Sequence, residues 1–365
     1  MKALIIGNYK SVFAKELQSE LAIRGMDIYL LDFETLKLYK DENIVDEGYY
    51  RSFDKYRKLP KIHMIYRMYY ISKFLRSNFF DVVNIHTARV IYTSILPFLT
   101  KQKLVVTVYG SDFYRMGLRA RKIQKMLYKK ADAITFTNPL TKQGFLDYYQ
   151  DFKDKSIVCR FGLKTLDFID KNRNKDRLSI KEHLGYSLDK IIVTCGYNAT
   201  NGQQHEKIIE NIVKLNSKIL NKIQFIFPMT YGDNAHKEKI KKMLQEASLD
   251  YKVLEDFLFG DDNANIKLCS DVMVNILKTD SFSGSMQEFL YANNIVITGS
   301  WLPYELFDQL GVYYHKIDFS EMLADKLIEV LSDLDKEKTM KNVQIIHSLS
   351  SWDNNIQSWI DAYEN

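Results

Sequence analysis

Short apolar runs alternate with amphipathic stretches in two separate series along this chain, and the alternation lapses once between them. In the first series Ala3 to Gly7 reads as a strand, Ser11 to Arg24 as a helix with Phe13, Leu17 and Leu21 on one face, and Asp27 to Phe33 as a strand. Gly25 ends that helix where a left-handed residue is wanted. The pattern continues through a strand at Asp81 to His86, a helix near Val90 to Leu99, a strand at Lys103 to Tyr109, a basic helix from Arg115 to Lys130, and strands at Ala133 to Thr137 and Ser156 to Cys159. From Asp167 to Lys190 the sequence turns charged and aperiodic. The second series has strands at Ile191 to Cys195, Ile223 to Phe227, Lys252 to Leu254, Asp271 to Ile276 and Ile295 to Thr298, with helices from Gln204 to Leu220, Asn234 to Glu246 and Ser283 to Tyr291.

Strands joined through helices run parallel and need cover on both faces, which predicts an α/β chain of two Rossmann-like doubly wound domains. The expected division is 1–170, a linker at 171–190, 191–348, and a C-terminal helix at 349–365 whose Trp352, Trp359 and Tyr363 need a surface such as the first domain. A length of 365 residues fits two domains of ~100–200 each. Such sheets bind ligands beyond the carboxyl ends of their strands, and two that face each other enclose a cleft. Functional residues are therefore expected in the loops that follow strands.

Charge is divided between the series. Residues 1–190 hold 35 Lys and Arg against 21 Asp and Glu, and the remainder 16 against 25. The last arginine is Arg177, so an anion on the second half must be held without a guanidinium. Cys159, Cys195 and Cys269 are odd in number and lie in apolar surroundings, as buried reduced thiols do, which points to the cytosol. The opening Met1 to Gly7 is too briefly apolar for a signal peptide, and no run approaches the ~20 apolar residues of a membrane span.

The segment from Thr279 to Thr298 follows a buried strand, passes through the small residues Ser283, Gly284 and Ser285, opens a helix and ends in another strand. Small residues at a helix start leave backbone N–H groups facing an anion, with the helix dipole assisting. A diphosphate suits that position, and an acidic residue a turn further on can accept from a ribose diol. Asp280 and Glu288 are separated by seven residues. In this spacing and continuation the chain resembles the retaining glycosyltransferases of the GT-B fold, family 4 and its relatives, whose motif is two acids so separated. The resemblance implies that Glu288 holds the nucleotide ribose, Asp280 lies at the donor sugar, and Ser283, Gly284 and Ser285 face the phosphates. Asp280 stands where the family usually has Glu. Ser285 and Glu288 also match a capping box, in which Glu288 would only close the helix.

Val105 to Arg115 looks like the acceptor-side strand and loop of these enzymes, with Tyr109 where His is common and Asp112 as the acid. Asp81 to His86 looks like the preceding strand, which often ends in His. His86 and Asp112 are thus implied to contact sugar or acceptor; a histidine satisfied within a loop and a helix-capping aspartate are the alternatives. Gly7 and Asn8 occupy the first strand-helix turn, where the family brings main chain near the diphosphate or acceptor. The loop Gly196 to His205 lacks the Arg and Lys that the family places there. With Phe227 to Gly232 and Ser300 to Tyr304, it is more reminiscent of bacterial transferases that add an acetamido-dideoxygalactose to lipid-linked antigen intermediates. Neutral donors, Asn198 and Tyr231, with His205 or Lys278, would then replace the cations; ordinary turn chemistry is the other reading of Asn198 and Tyr231. Leu254 to Gly260 resembles the base-holding segment, with Phe257 or Phe259 either stacking on the base or filling core.

Arg51 to Lys130 contains 18 Lys and Arg and 3 acids. Within it, 59–76 interleaves cations with large apolar and aromatic residues, as helices at membrane interfaces do; a helix packed on the sheet with a solvated basic face reads equally well. No nucleic-acid-binding signature accompanies the charge. No His and Cys cluster has metal-ligand spacing, and Asp333-Leu334-Asp335 falls in a charged helical region, so neither a metal nor a cofactor beyond the nucleotide-sugar co-substrate is expected.

The resemblance implies a metal-independent, retaining hexosyl transfer from a nucleotide diphosphate sugar to a surface polysaccharide or lipid-linked oligosaccharide, at the inner face of a bacterial cell membrane. The rival readings are a nucleotide-sugar epimerase on the same fold and a non-catalytic membrane-surface or polysaccharide-binding protein.

Overall fold

The computed structural model describes residues 1–47, 60–99, 101–280 and 282–365, with the side chains of residues 60 and 61 excepted. These fall into two units, Met1–Gly162 with Trp352–Asn365, and Leu163–Ser351.

In the first unit β1 (Lys2–Gly7), β2 (Asp27–Asp32), β3 (Leu38–Lys40), β4 (Asn43–Asp46), β5 (Val82–His86), β6 (Lys103–Val108), β7 (Ala133–Phe136) and β8 (Ser156–Val158) form one sheet in the order β4-β3-β2-β1-β5-β6-β7-β8. All pairings are parallel except β2–β3 and β3–β4. The two-residue period of a strand sends Leu4, Ile6, Val83, Ile85, Leu104 and Val106 into one core and Ala3, Ile5, Val82 and Val105 into another on the opposite face. The second of these cores includes Trp352, Trp359 and Tyr363 from the helix Trp352–Glu364. That helix is fastened by a bond from Trp359 Nε1 to the Arg160 carbonyl (2.9 Å) and one from Asn84 Nδ2 to the Tyr363 hydroxyl (2.8 Å).

In the second unit β9 (Ile191–Cys195), β10 (Ile223–Pro228), β11 (Tyr251–Leu254), β12 (Val272–Asn275), β13 (Ile295–Gly299) and β14 (His315–Ile317) form an all-parallel sheet in the order β11-β10-β9-β12-β13-β14. Successive strands run outward from β9 in one direction, then restart at β12 in the other. The neighbours β9 and β12 therefore mark a topological switch, and it is beyond such a switch that sheets of this kind bind their ligands. The first sheet reverses likewise between β1 and β5.

The structure corrects several expectations. Residues 171–190 are not a linker: Thr165–Asn172 and Arg177–Leu184 are helices of the second unit. Of their apolar residues Leu166, Ile169 and Ile180 are buried while Leu178 is exposed, so each short helix hides only a narrow stripe, which charged flanks conceal in the sequence. The unit boundary lies at Gly162, before the position expected. The helix expected from Gln204 to Leu220 is two, His205–Ile212 and Ser217–Leu220, the second capped by Asn216, whose side chain accepts from Ile219 N. The segment Val90–Phe98 is 3-10 helix with Pro97 inside it. The basic helix spans only Leu118–Lys130, after a separate turn at Ser111–Tyr114, and the hairpin β3–β4 was not foreseen.

Candidate functional site

At the switch of the second sheet, the loop after β12 is organised by Asp280. Its Oδ2 accepts from Ser283 N at 2.8 Å and from the hydroxyl of buried Tyr304. Asn275, at the end of β12, donates to that hydroxyl (3.0 Å), so a line of bonds from the sheet core orients the carboxylate. Burial, reinforced by the Asp280 charge, pushes the Tyr304 phenol well above its usual range, which keeps it a donor. Phe282 is held at φ +89°, a strained value for an aromatic residue.

Ser283 is the cap of the helix Gly284–Tyr291, its side chain accepting from Met286 N at 3.1 Å. This removes the capping-box alternative: the cap is not Ser285, and Glu288 lies beyond the first turn. Gly284 and Ser285 occupy that first turn, where N–H groups have no intrahelical acceptor. Glu288 instead meets Lys267 of the helix Gly260–Cys269, Nζ to Oε2 3.1 Å, with side chains only 7% and 13% exposed. Lys267 also donates to Asn263 Oδ1. A buried cation thus stands beside the acid assigned to the ribose. Nothing in the sequence marked Lys267, because its value comes from burial alone.

On the β9 side Gly196 has φ +67°. Asn198 Nδ2 donates to the Tyr231 hydroxyl at 3.1 Å, while Asn198 Oδ1 accepts from Thr200 N at 2.9 Å. The two neutral donors named from the sequence are therefore partners. Their loops are stitched by Ala199 N to Tyr231 O (2.6 Å), and Gly232 has no room for a side chain there, since a Cβ would lie 2.4 Å from the Ala199 carbonyl carbon. Tyr231, Phe257 and Phe259 are exposed and consecutive, with ring centroids 6.0 and 4.4 Å apart. The core alternative for the two phenylalanines is thereby ruled out. His205 is fully buried, its Nδ1 3.3 Å from His236 Nε2, and burial lowers its pKa to about 4. It is a neutral group at pH 7. Lys278 is exposed.

In the first unit a cavity of about 300 Å3 opens at the switch between β1 and β5, with Gly7, Asn8, Ser11, His86, Arg89 and Tyr109 in its wall. His86 Nδ1 lies 3.0 Å from the Tyr109 hydroxyl, and burial pushes the imidazole pKa down to about 3, so it is uncharged at neutral pH. Tyr109, which stands where the resemblance expected His, is pushed up by burial and by Asp112. Gly7 makes room for His86: a Cβ would sit 3.2 Å from the histidine Cβ. Asn8 Oδ1 accepts from Lys10 N (2.8 Å), closing its own turn. Asp112 accepts from Ala88 N (2.7 Å), Tyr109 N (3.0 Å) and Gly110 N (2.9 Å). It therefore ties the loops after β5 and β6 together as a positioning residue, nearer to the capping alternative than to sugar contact. Sequence reading missed Glu34 and Arg89, which also line the cavity; Glu34 bonds Arg67 at 2.9 Å and lies 4.0 Å from Arg89.

Among the described residues no group of His, Cys, Asp and Glu is placed to hold a metal ion. Asp333 and Asp335 both pair with Lys338, at 3.0 and 3.8 Å. All three cysteines are buried and unpaired. No described helix is long and apolar enough to cross a membrane.

Residues 2–138 match a family model described as "Glycosyl transferase 4-like". No curated protein matches the chain. Among solved structures, a glycosyltransferase from Rickettsia africae superposes with TM-score 0.74 at 16% identity, covering 100% of this chain and 98% of that one. An Anabaena protein, HepE, solved with UDP and glucose, gives 0.70 at 10% over 99% and 98%. A UDP-forming trehalose-phosphate synthase from Burkholderia vietnamiensis gives 0.67 at 10% over 100% and 98%. The chain has the GT-B fold.

Proposed function

We propose that this chain is a glycosyltransferase that takes a sugar from a nucleotide diphosphate donor held on its second unit. The observation that carries the reading is the loop after β12. An oriented carboxylate at Asp280, a helix start at Ser283 to Ser285 and a buried acid at Glu288 lie together at the switch point of a GT-B sheet, and a family model of glycosyltransferases matches the first unit. On this reading Glu288 accepts from the ribose diol, while the N–H groups of Gly284 and Ser285, with Asn198 and Tyr231, face the diphosphate. The exposed rings of Tyr231, Phe257 and Phe259 offer the base a stacking surface. Neutral donors aimed at charge that develops on the leaving group contribute ~2–4 kcal/mol each when well placed.

Transfer proceeds with retention, by front-face attack in which the departing diphosphate takes the proton of the incoming hydroxyl. No protein base is needed, in keeping with the depressed pKa of His86, which serves as a neutral hydrogen-bonding group.

The acceptor is a lipid-linked oligosaccharide or surface polysaccharide, reached at the inner face of a membrane. Leu59 of the segment 59–76 lies outside the described residues; the rest belongs to the helix Pro60–Ser77. Ile62, Ile65 and Tyr69 are exposed on it together with Lys73 and Arg76. The helix Leu118–Lys130 exposes Leu118, Ile123 and Met126 among Arg119, Lys122, Lys129 and Lys130. Neither helix contains an acid, and both bury their other face in the same core. Apolar side chains among cations suit an anionic lipid surface.

The test incubates the protein with radiolabelled nucleotide diphosphate sugars and lipid-linked acceptors. Label in the lipid fraction, dependent on acceptor, is the expected result. Donor conversion without acceptor would instead make the chain an epimerase.

A further inference from the structure

Beyond the carboxyl ends of β12, β13 and β14 lies a second, open cavity of about 320 Å3, lined by Gln204, Lys278, Trp301, Asp318, Phe319 and Glu321. Trp301 is locked in place. Its indole N–H donates to the Leu277 carbonyl at 2.8 Å, and its ring lies over Gly299, where a Cβ would come within 2.4 Å of the ring carbons. Despite this fixation it remains 39% exposed, and Phe319 across the same cavity is 68% exposed. Exposed apolar area forgoes ~25 cal/mol per Å2 of burial, so a rigid aromatic plate facing water within a polar rim marks a surface that something covers.

The rim determines what that is. Asp318 is oriented by the Ser300 hydroxyl, which donates to it at 2.7 Å, and Glu321 by the Ser320 hydroxyl at 3.1 Å. Lys207 lies 3.8 Å from Glu321 and Lys278 is exposed. Two carboxylates in the wall repel a phosphate or nucleotide, and a purely apolar ligand would strip them of water without replacing its hydrogen bonds. A sugar ring satisfies both demands. Its C–H face covers an aromatic plane, its hydroxyls donate to carboxylates, and its oxygens accept from an ammonium.

We propose that this cavity is a saccharide subsite that takes a neutral sugar residue of the acceptor glycan, with Trp301 as its platform. Lys278 stands two residues before Asp280 on the same loop, so a glycan held here lies along the segment that also orients Asp280. That the glycan is the acceptor rests on the glycosyltransferase reading. Saccharide binding itself is measured without nucleotide, so the two fail separately.

Trp301 provides its own reporter. The chain has three tryptophans, and Trp352 and Trp359 are only 2% and 0% exposed. Titration of the full chain with maltose, lactose, cellobiose and diacetylchitobiose is expected to give, with at least one, a saturable blue shift of emission and protection from iodide quenching. Saturation-transfer NMR with the same sugar should show affinity at least tenfold weaker in Trp301→Ala and in the surface variants Phe319→Ala and Asp318→Asn, whose folding the missing Trp301 bond cannot compromise. The proposal is overturned if none of the four sugars alters the emission. It is equally overturned if inorganic phosphate competes with the sugar, or if Phe319→Ala and Asp318→Asn both bind as wild type does.

Discussion

The pair formed by Lys267 and Glu288 makes the strongest quantitative demand on the second unit. Replacing Glu288 with Ala leaves an ammonium in a site where its side chain is 7% exposed. Losing one partner of a buried pair costs ~3–5 kcal/mol. The remaining bond from Lys267 to Asn263 and the residual exposure of Glu288 place the expected loss at the lower end, about 3 kcal/mol. For a unit of this size each kcal/mol moves the midpoint by ~2–4 °C, so the transition of that unit should fall by about 6–12 °C. Glu288→Gln keeps an acceptor for Lys267 and should lose less. The double variant Lys267→Met with Glu288→Leu removes both charges and should recover to within ~1 kcal/mol of wild type, because an apolar pair is not penalised for desolvation. Calorimetric scans of these proteins, together with the single variants Lys267→Met and Glu288→Leu, complete a double-mutant cycle. If Glu288→Ala unfolds within 2 °C of wild type, or if the double variant is no more stable than Glu288→Ala, the pair is not desolvated and the geometry given for it is wrong. The cycle also separates scaffold from ligand chemistry, since the repacked double variant should fold well and still not hold a nucleotide.

Further outcomes follow from other parts of the molecule. Asp112→Ala leaves three backbone N–H groups without their acceptor and should cost ~2–4 kcal/mol, with faster amide exchange at Ala88, Tyr109 and Gly110; unchanged exchange would remove its anchoring role. His86 and His205 have folded pKa values lowered to about 3 and about 4 against 6.5 when unfolded, so the unfolded chain binds more protons below about pH 6.5. Stability should then fall as pH drops from about 6.5 to 4.5, by ~1.4 kcal/mol per pH unit for each imidazole; a flat profile across that window contradicts their burial as neutral rings. Full-length protein should sediment with phosphatidylglycerol vesicles and not with phosphatidylcholine, and Leu118→Glu with Met126→Glu should reduce that binding at least tenfold; equal sedimentation with both lipids contradicts the basic face.

Much of this was legible in the sequence because parallel strands buried on both faces leave continuous apolar runs, and β9, β10, β12 and β13 appear within a residue or two of where those runs stand. The helices Thr165–Asn172 and Arg177–Leu184 were not legible, since the first buries only Leu166, Ile169 and Asn172 and the second only Ile180 and Lys181. The site divided along similar lines. Asn198 and Tyr231, named separately from their loops, proved to be partners, and Asp280 and Glu288 proved to be held from within the fold. What local sequence cannot supply is a partner from another element: Lys267 for Glu288, Tyr304 for Asp280, His236 for His205. Asp112 shows the converse, a candidate site residue whose carboxylate the backbone has already claimed. The absence of arginine beyond Arg177 remains a feature of the second unit, and Lys267 answers it only in part, because that cation is neutralised by Glu288.

The central claim is that the loops at the switch of the second sheet hold a nucleotide diphosphate through Glu288. Isothermal titration of wild type and Glu288→Gln with UDP, GDP, ADP and dTDP tests it most directly. The expected result is saturable binding of at least one nucleotide to wild type, weakened tenfold or more in a Glu288→Gln protein that remains folded at the temperature of measurement. Equal affinity in the two proteins, or no binding of any of the four nucleotides to wild type, would contradict it.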